Sequence, residues 1–195
     1  MYRLTRAFAR ILLLLLFRWK VTGAQNIPPR GPVIICSNHI SWWDPVAIGC
    51  SVSRNVRFMA KEELFRIPLF GRFLRCLGSF PVKRGAPDRK AFKNSLEILR
   101  NGEVLGLFPE GTRGNGLKIR KAEPGAAIIA VRTGAPVVPV AVASSYRFGA
   151  TLTVKIGKPM VFDMEGQEKR RAGSEVYQRI SSEIMEAIGR LLNGD

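Results

Sequence analysis

The chain reads as an α/β protein: one domain with a mostly parallel central sheet flanked by helices, preceded by an N-terminal amphipathic membrane-interface helix. Three observations carry this reading. Short, wholly apolar runs of strand length recur along the chain, as strands buried on both faces require. Helical stretches with one apolar face lie between several of them, the alternation that builds parallel sheets. The 195 residues, 46% of them hydrophobic, are enough for one core and too apolar for a disordered or fibrous chain.

The first 43 residues hold Arg3, Arg6, Arg10, Arg18, Lys20 and Arg30, and no acid. Ile11 to Phe17 is an unbroken apolar run, far short of the ~20 residues that span a bilayer. At helical spacing Arg3, Arg6 and Arg10 share one face, while Leu4, Phe8, Ile11, Leu12 and Leu15 share another. Trp19, between Arg18 and Lys20, suits the headgroup level. Residues 1–26 are therefore expected to form a basic, apolar helix anchored in the membrane interface. Residues 27–195 then form the body, expected to fold without residues 1–20. A core helix with basic edges is the competing reading. A signal peptide fits less well, because Arg18 and Lys20 interrupt the approach to any cleavage site.

After the Pro/Gly-rich joint at Ile27–Pro32, strands are predicted at Val33–Ser37, Val56–Ala60, Val104–Phe108, Val137–Ala143 and Leu152–Ile156. Pro87 and Asp88 open a helix carrying Phe92, Leu96 and Leu99 that stops at Asn101-Gly102. Pro124 opens another, Gly125 to Arg132, closed by Gly134. The last runs from about Ser174 to Leu192, with Val176, Ile180, Ile184, Ile188 and Leu191 on one face.

Charge narrows the partners. The chain carries 31 Lys and Arg against 15 Asp and Glu, a net +16, which attracts nucleic acid, phosphorylated substrates or an anionic membrane. One histidine and three scattered cysteines exclude a four-ligand zinc site of standard spacing and a disulfide framework, and fit a reducing, cytosolic setting.

Chemistry concentrates in three loops. In Asn38-His39-Ile40-Ser41-Trp42-Trp43-Asp44-Pro45, His39 and Asp44 fall between a buried strand and a helix that Pro45 can open. Open α/β sheets build their sites at that end of a strand. A neutral imidazole accepts a proton near pH 7 when a partner fixes its other nitrogen, and Asp44 is placed to be that partner. Asp44 also fits a helix N-cap, and Asn38 a turn. In Phe108-Pro109-Glu110-Gly111-Thr112-Arg113-Gly114, the glycines free the backbone to approach a ligand. Arg113 offers a planar fork for phosphate oxygens, and Glu110 can hold Arg113 or bind a hydroxyl; an ordinary turn with a surface ion pair is the alternative. In Gly78 to Gly85, Lys83 and Arg84 end a short apolar run as a candidate anion clamp.

Together and in this order, these stretches resemble the glycerolipid acyltransferases, whose best-known members are the lysophosphatidic acid (1-acyl-sn-glycerol-3-phosphate) acyltransferases. The NH-x4-D motif is matched by Asn38, His39 and Asp44, the second motif by Gly78, Phe80, Val82 and Arg84. FPEGTR is matched without a gap by Phe108 to Arg113, and the fourth motif by Val138-Pro139-Val140. The likeness extends to about Gly157. One position departs: Glu123 stands where the family often has a base before the Pro-Gly of the next helix, although Lys118, Arg120 and Lys121 lie just upstream.

The resemblance implies that His39, oriented by Asp44, takes the proton from a lysophospholipid hydroxyl, whose oxygen attacks the thioester of acyl carrier protein or coenzyme A. It implies that Arg84 and Arg113 hold the acceptor's phosphate with Lys83 as a helper, that Glu110 contacts the glycerol, and that Gly111 and Thr112 belong to the substrate-binding set, with backbone donors near Gly111 as candidates for the oxyanion. No metal and no cofactor beyond the thioester co-substrate are implied. Lysophosphatidic acid is the expected acceptor, with another lyso-lipid as the alternative, and the expected place is the cytoplasmic face of the cell membrane, peripheral or monotopic. From another class, a non-catalytic basic protein binding membrane or nucleic acid accounts for the charge. No recognition helix, ribonucleoprotein motif or zinc finger accompanies it, so no nucleic-acid partner is expected.

Overall fold

The computed structural model describes residues 2–83, 88–114, 122–164 and 173–194. Among them a seven-stranded sheet is ordered β1-β7-β6-β2-β5-β3-β4. The strands are β1 (Arg18–Thr22), β2 (Val33–Ser37), β3 (Val56–Lys61), β4 (Phe80–Val82), β5 (Val104–Leu107), β6 (Val137–Ala143) and β7 (Thr151–Ile156). Every pairing is parallel except β6 with β7. All five residues of β2 and all four of β5 are buried, because these central strands are covered on both sides.

One face is covered by helices α1 (Tyr2–Leu16) and α2 (Asp44–Ser51), the other by α4 (Arg89–Arg100), α5 (Gly125–Thr133) and α6 (Ser174–Asn193); α3 (Pro68–Cys76) lies between β3 and β4. The ends follow local chemistry. Asp88 caps α4, its carboxylate accepting from the amides of Lys90 and Ala91. Gly134, at φ +67°, stops α5 in the left-handed conformation that glycine adopts most readily. The predicted strands and the last three helices lie within one or two residues of those observed; Pro87 lies outside the described residues.

The N-terminus differs from expectation. The helix ends at Leu16, and Arg18–Thr22 pairs in parallel with β7 as the sheet's edge strand. Leu13 is fully buried and Phe17 nearly so, both in the core cluster that lines α2 and the sheet. Trp19 is half-buried against the same cluster, with the Arg10 guanidinium 5.8 Å from its ring. Arg6 turns inward, donating to the carbonyls of Val52 and Ser53. Residues 13–22 thus pack as part of the folded body, which argues against removing residues 1–20 without cost to the fold. Strand β1 was hidden because its neighbours' charges mask a five-residue pattern that only pairing with β7 makes stable.

The outer side of α1 is apolar: Leu4, Phe8, Ile11, Leu14 and Leu15 are all more than half exposed. Leu12, expected among them, is half-buried. At about 1.5 Å per residue α1 is roughly 22 Å long. Among the described residues no helix is long and apolar enough to cross a membrane.

Candidate active site

The site lies at the carboxyl edge of the parallel strands, where the loops after β2, β5 and β6 converge. Asn38 closes the end of β2 onto β6: its amide nitrogen donates to the Val142 carbonyl and its amide oxygen accepts from the Val142 N–H, each at 2.8 Å. That clamp, rather than a turn, is the work of Asn38.

His39 follows, almost wholly buried. Its Nδ1 lies 2.8 Å from Asp44 Oδ2. The same oxygen accepts the backbone N–H groups of Ile40 and Ser41 at 2.6 and 2.7 Å. Asp44 is in the first turn of α2 and completely buried, but its carboxylate points back over the loop instead of capping the helix. An oxygen that takes two backbone N–H groups acts as an acceptor, so Nδ1 carries the proton of the His39 bond. Nε2 is then the ring's acceptor, the form a general base needs.

The loop after β5 buttresses the ring. Phe108 stacks on His39 with centroids 4.0 Å apart and planes 18° apart, and Phe58 of β3 stacks behind Phe108 at 5.8 Å. Pro109 and Gly111 form a turn in which the Gly111 N–H donates to the Phe108 carbonyl. Gly111 has φ +68°, a conformation an L side chain adopts only with strain. Glu110 is buried, and its Oε1 accepts the His39 N–H at 3.0 Å; the Gly114 N–H donates to the His39 carbonyl at 2.7 Å. Glu110 therefore pins the His39 loop, a contact the sequence did not indicate. Arg113 is exposed, its guanidinium 4.2 Å over the Trp42 ring, a stacking that Arg geometry favours.

The sequence-derived residues are not all assembled together. His39, Asp44 and Glu110 are in direct contact, and Gly111, Thr112 and Arg113 stand on the adjoining rim. Lys83 follows edge strand β4, three strands from β2, or roughly 14 Å at ~4.8 Å per strand. It is exposed, and its N–H donates to Asp88. Arg84, Lys118, Arg120 and Lys121 lie outside the described residues. The Gly111 N–H is committed to the Phe108 carbonyl within its turn.

Tyr146 is the site residue that sequence reasoning missed. It lies on the β6–β7 connection, and its hydroxyl donates to Asp44 Oδ1. Burial first, and then the Asp44 charge and that bond, hold its phenol far above the usual tyrosine range. A tyrosine 102 residues from its partner leaves no local signal.

The fold is thus an open, mostly parallel α/β sheet with a buried imidazole, held with Nε2 as its acceptor, at the carboxyl edge of the parallel strands. The chain belongs to the Acyltransferase family, whose model matches residues 18–143. It is 32% identical over 143 residues to the 1-acyl-sn-glycerol-3-phosphate acyltransferase of Bacillus subtilis, covering 72% of this chain and 70% of that protein. It is 35% identical over 147 residues to the lyso-ornithine lipid O-acyltransferase of Pseudomonas aeruginosa, covering 74% of this chain and 54% of that protein. The crystal structure of the 1-acyl-sn-glycerophosphate acyltransferase PlsC from Thermotoga maritima superposes with a TM-score of 0.76 at 27% identity, covering 98% of this chain and 79% of that one.

Proposed function

We propose that this acyltransferase moves an acyl group from a thioester, on acyl carrier protein or coenzyme A, to the sn-2 hydroxyl of 1-acyl-glycerol-3-phosphate, giving phosphatidic acid. The observation that carries this reading is the His39 ring, fixed by Asp44 at Nδ1 and bound through its backbone to the Glu110–Gly114 loop. Nε2 accepts the hydroxyl proton as the oxygen attacks the thioester carbonyl. The tetrahedral adduct then expels the thiolate, breaking the C–S bond, and the thiolate takes the proton back from the imidazolium. The reaction so written uses no metal, cofactor or covalent enzyme intermediate. Arg113, on the rim beside His39, is the described cation best placed for the acceptor's phosphate, and Arg84 is a second on the strength of its motif. Lys83, next to Arg84 after β4, is its proposed helper.

The acceptor sits in a bilayer, and α1 offers the means to reach it. Its exposed apolar face seats in the headgroup boundary while surrounding bases face anionic lipid. The C-terminal end of α1 meets the β6–β7 connection, the Gly149 N–H donating to the Leu16 carbonyl, so the anchor adjoins the site. The proposed attachment is confined to one leaflet, on the cytoplasmic face that the excess of bases favours.

The test is acyl transfer by the full chain from both thioester donors to lysophosphatidic acid and a panel of other lyso-lipids, read by mass spectrometry. Phosphatidic acid formation that depends on His39 is the expected result. The 35% identity to a lyso-ornithine lipid enzyme favours that acceptor as the second reading, and preferential acylation of it would replace the first.

A further inference from the structure

We infer that Tyr146 is a positioning residue of this site, its hydroxyl holding the second oxygen of Asp44 and thereby fixing the carboxylate against His39. The inference rests on the general-base reading above. Asp44 Oδ2 is taken by His39 and two backbone amides of the same loop. Asp44 is completely buried, so Oδ1 needs a donor of its own. Tyr146, from a different element, supplies it.

The tyrosine is itself held firmly. It has φ +53°, the only positive φ among described non-glycine residues, a conformation unfavourable for a bulky side chain and found where surroundings over-determine it. The Ser144 hydroxyl accepts the Tyr146 N–H at 3.0 Å. The ring sits edge-on to Phe17 at 5.7 Å, and Phe17 is likewise edge-on to Trp43 beside Asp44. The connection is tied to the start of the sheet's edge by Gly149 N–H to Leu16 and Arg18 N–H to Ala150. The strained backbone, the hydroxyl's cap and the aromatic wedge all serve to aim one phenol at one carboxylate oxygen.

The chain's single histidine makes the test clean, since imidazole NMR signals belong to His39 alone. The groups around it are Asp44 from α2, Glu110 and Arg113 from the loop after β5, and Tyr146; Y146F alters the last only. Without the hydroxyl, the carboxylate's charge is shared with fewer donors and bears more strongly on the imidazolium. The His39 ring should then take up its proton at higher pH than in the unaltered chain, and the acidic limb of kcat/KM should move with it. At neutral pH kcat should fall about 10-fold, with KM for donor and acceptor changed less than about twofold. A folded Y146F protein whose His39 titration is unchanged overturns the inference, whether or not its turnover falls. Should Y146F not fold, the full chain carrying 3-fluorotyrosine decides: a more acidic phenol donates more strongly, so the His39 titration should move to lower pH, and no movement overturns the inference. The NMR arm needs no turnover, so failure to acylate any lyso-lipid would count against the proposed reaction and leave the positioning role separately measured.

Discussion

At His39 the chemistry depends on which nitrogen carries the proton, and three neighbours decide it. Replacing His39 by Ala removes the proposed base and is expected to lower turnover by roughly 10²–10⁴ while the fold persists, since the buried Asp44 keeps its bonds to the Ile40 and Ser41 amides and to Tyr146. Circular dichroism with single-turnover assays checks both halves. Asp44→Asn is expected to be comparably severe, because the amide carries no negative charge to support an imidazolium and can leave the ring in the wrong tautomer. Arg113→Ala should raise KM for a phosphate-bearing acceptor well above any change for the thioester donor, and Arg113→Lys should not restore it, as an ammonium lacks the fork that stacks on Trp42. Elsewhere, burial raises the Cys36 thiol to about 12 and the Cys50 thiol to about 11, Arg10 and Arg6 opposing the latter. Thiols so raised stay protonated and poorly nucleophilic at pH 8. An alkylating reagent at that pH should mark half-buried Cys76 first and the other two only on unfolding, which peptide mass mapping reads directly.

Strands and helices transmit support to these residues. Gly106, in the middle of β5, pairs with Phe58 of β3, and a Cβ there would lie 2.3 Å from the Phe58 ring. The missing side chain lets Phe58 lie across the strand beneath Phe108, which in turn backs His39. Gly106→Ala is expected to cost about 1–3 kcal/mol, the usual range for overpacking, and to lower kcat by displacing the stack; denaturant melts and steady-state kinetics test the pair. The helices show the same division of labour. α1 keeps Leu13 and Phe17 in the core and turns Leu4, Phe8, Ile11 and Leu15 outward. Phe8→Asp with Leu15→Asp should therefore abolish co-sedimentation with anionic vesicles at little cost in melting temperature. α3 with its preceding turn exposes a second apolar set, Ile67, Leu69, Phe70 and Phe73; vesicle binding that survives the α1 substitutions would place the attachment there.

The molecule as a whole carries +16, a field that draws it to anionic surfaces and is screened by salt. High salt should weaken vesicle binding only in part, because the apolar face of α1 contributes independently of ionic strength. Removal of residues 1–20, by contrast, takes Leu13, Phe17 and the first residues of β1 from the core and sheet. Losing one large buried side chain costs about 2–5 kcal/mol, so this truncation should unfold or strongly destabilise the body, as thermal melting would show. Helix α1, the proposed anchor, and the His39 loop are one folded unit, joined where Phe17 packs on both Tyr146 and Trp43.

The central strands, the later helices and the His39–Asp44 pair could be read from the amino-acid order because each rests on local signals: an apolar run of strand length, a capping residue, or a turn between a strand and a proline-opened helix. The function class followed from motifs spaced along the chain. Strand β1 and edge strand β4 could not be read as strands from their own composition, since short edge segments owe their conformation to the partner strand. The roles of Asn38 and Glu110 were likewise hidden, because each bonds backbone brought in from another strand end. Tyr146 is the extreme case: its hydroxyl meets Asp44 only after β6 has returned beside β2. Residue order thus determined which chemical groups the site holds, and tertiary structure decided which of them touch, because hydrogen bonds between distant loops exist only once the sheet has set its strand order.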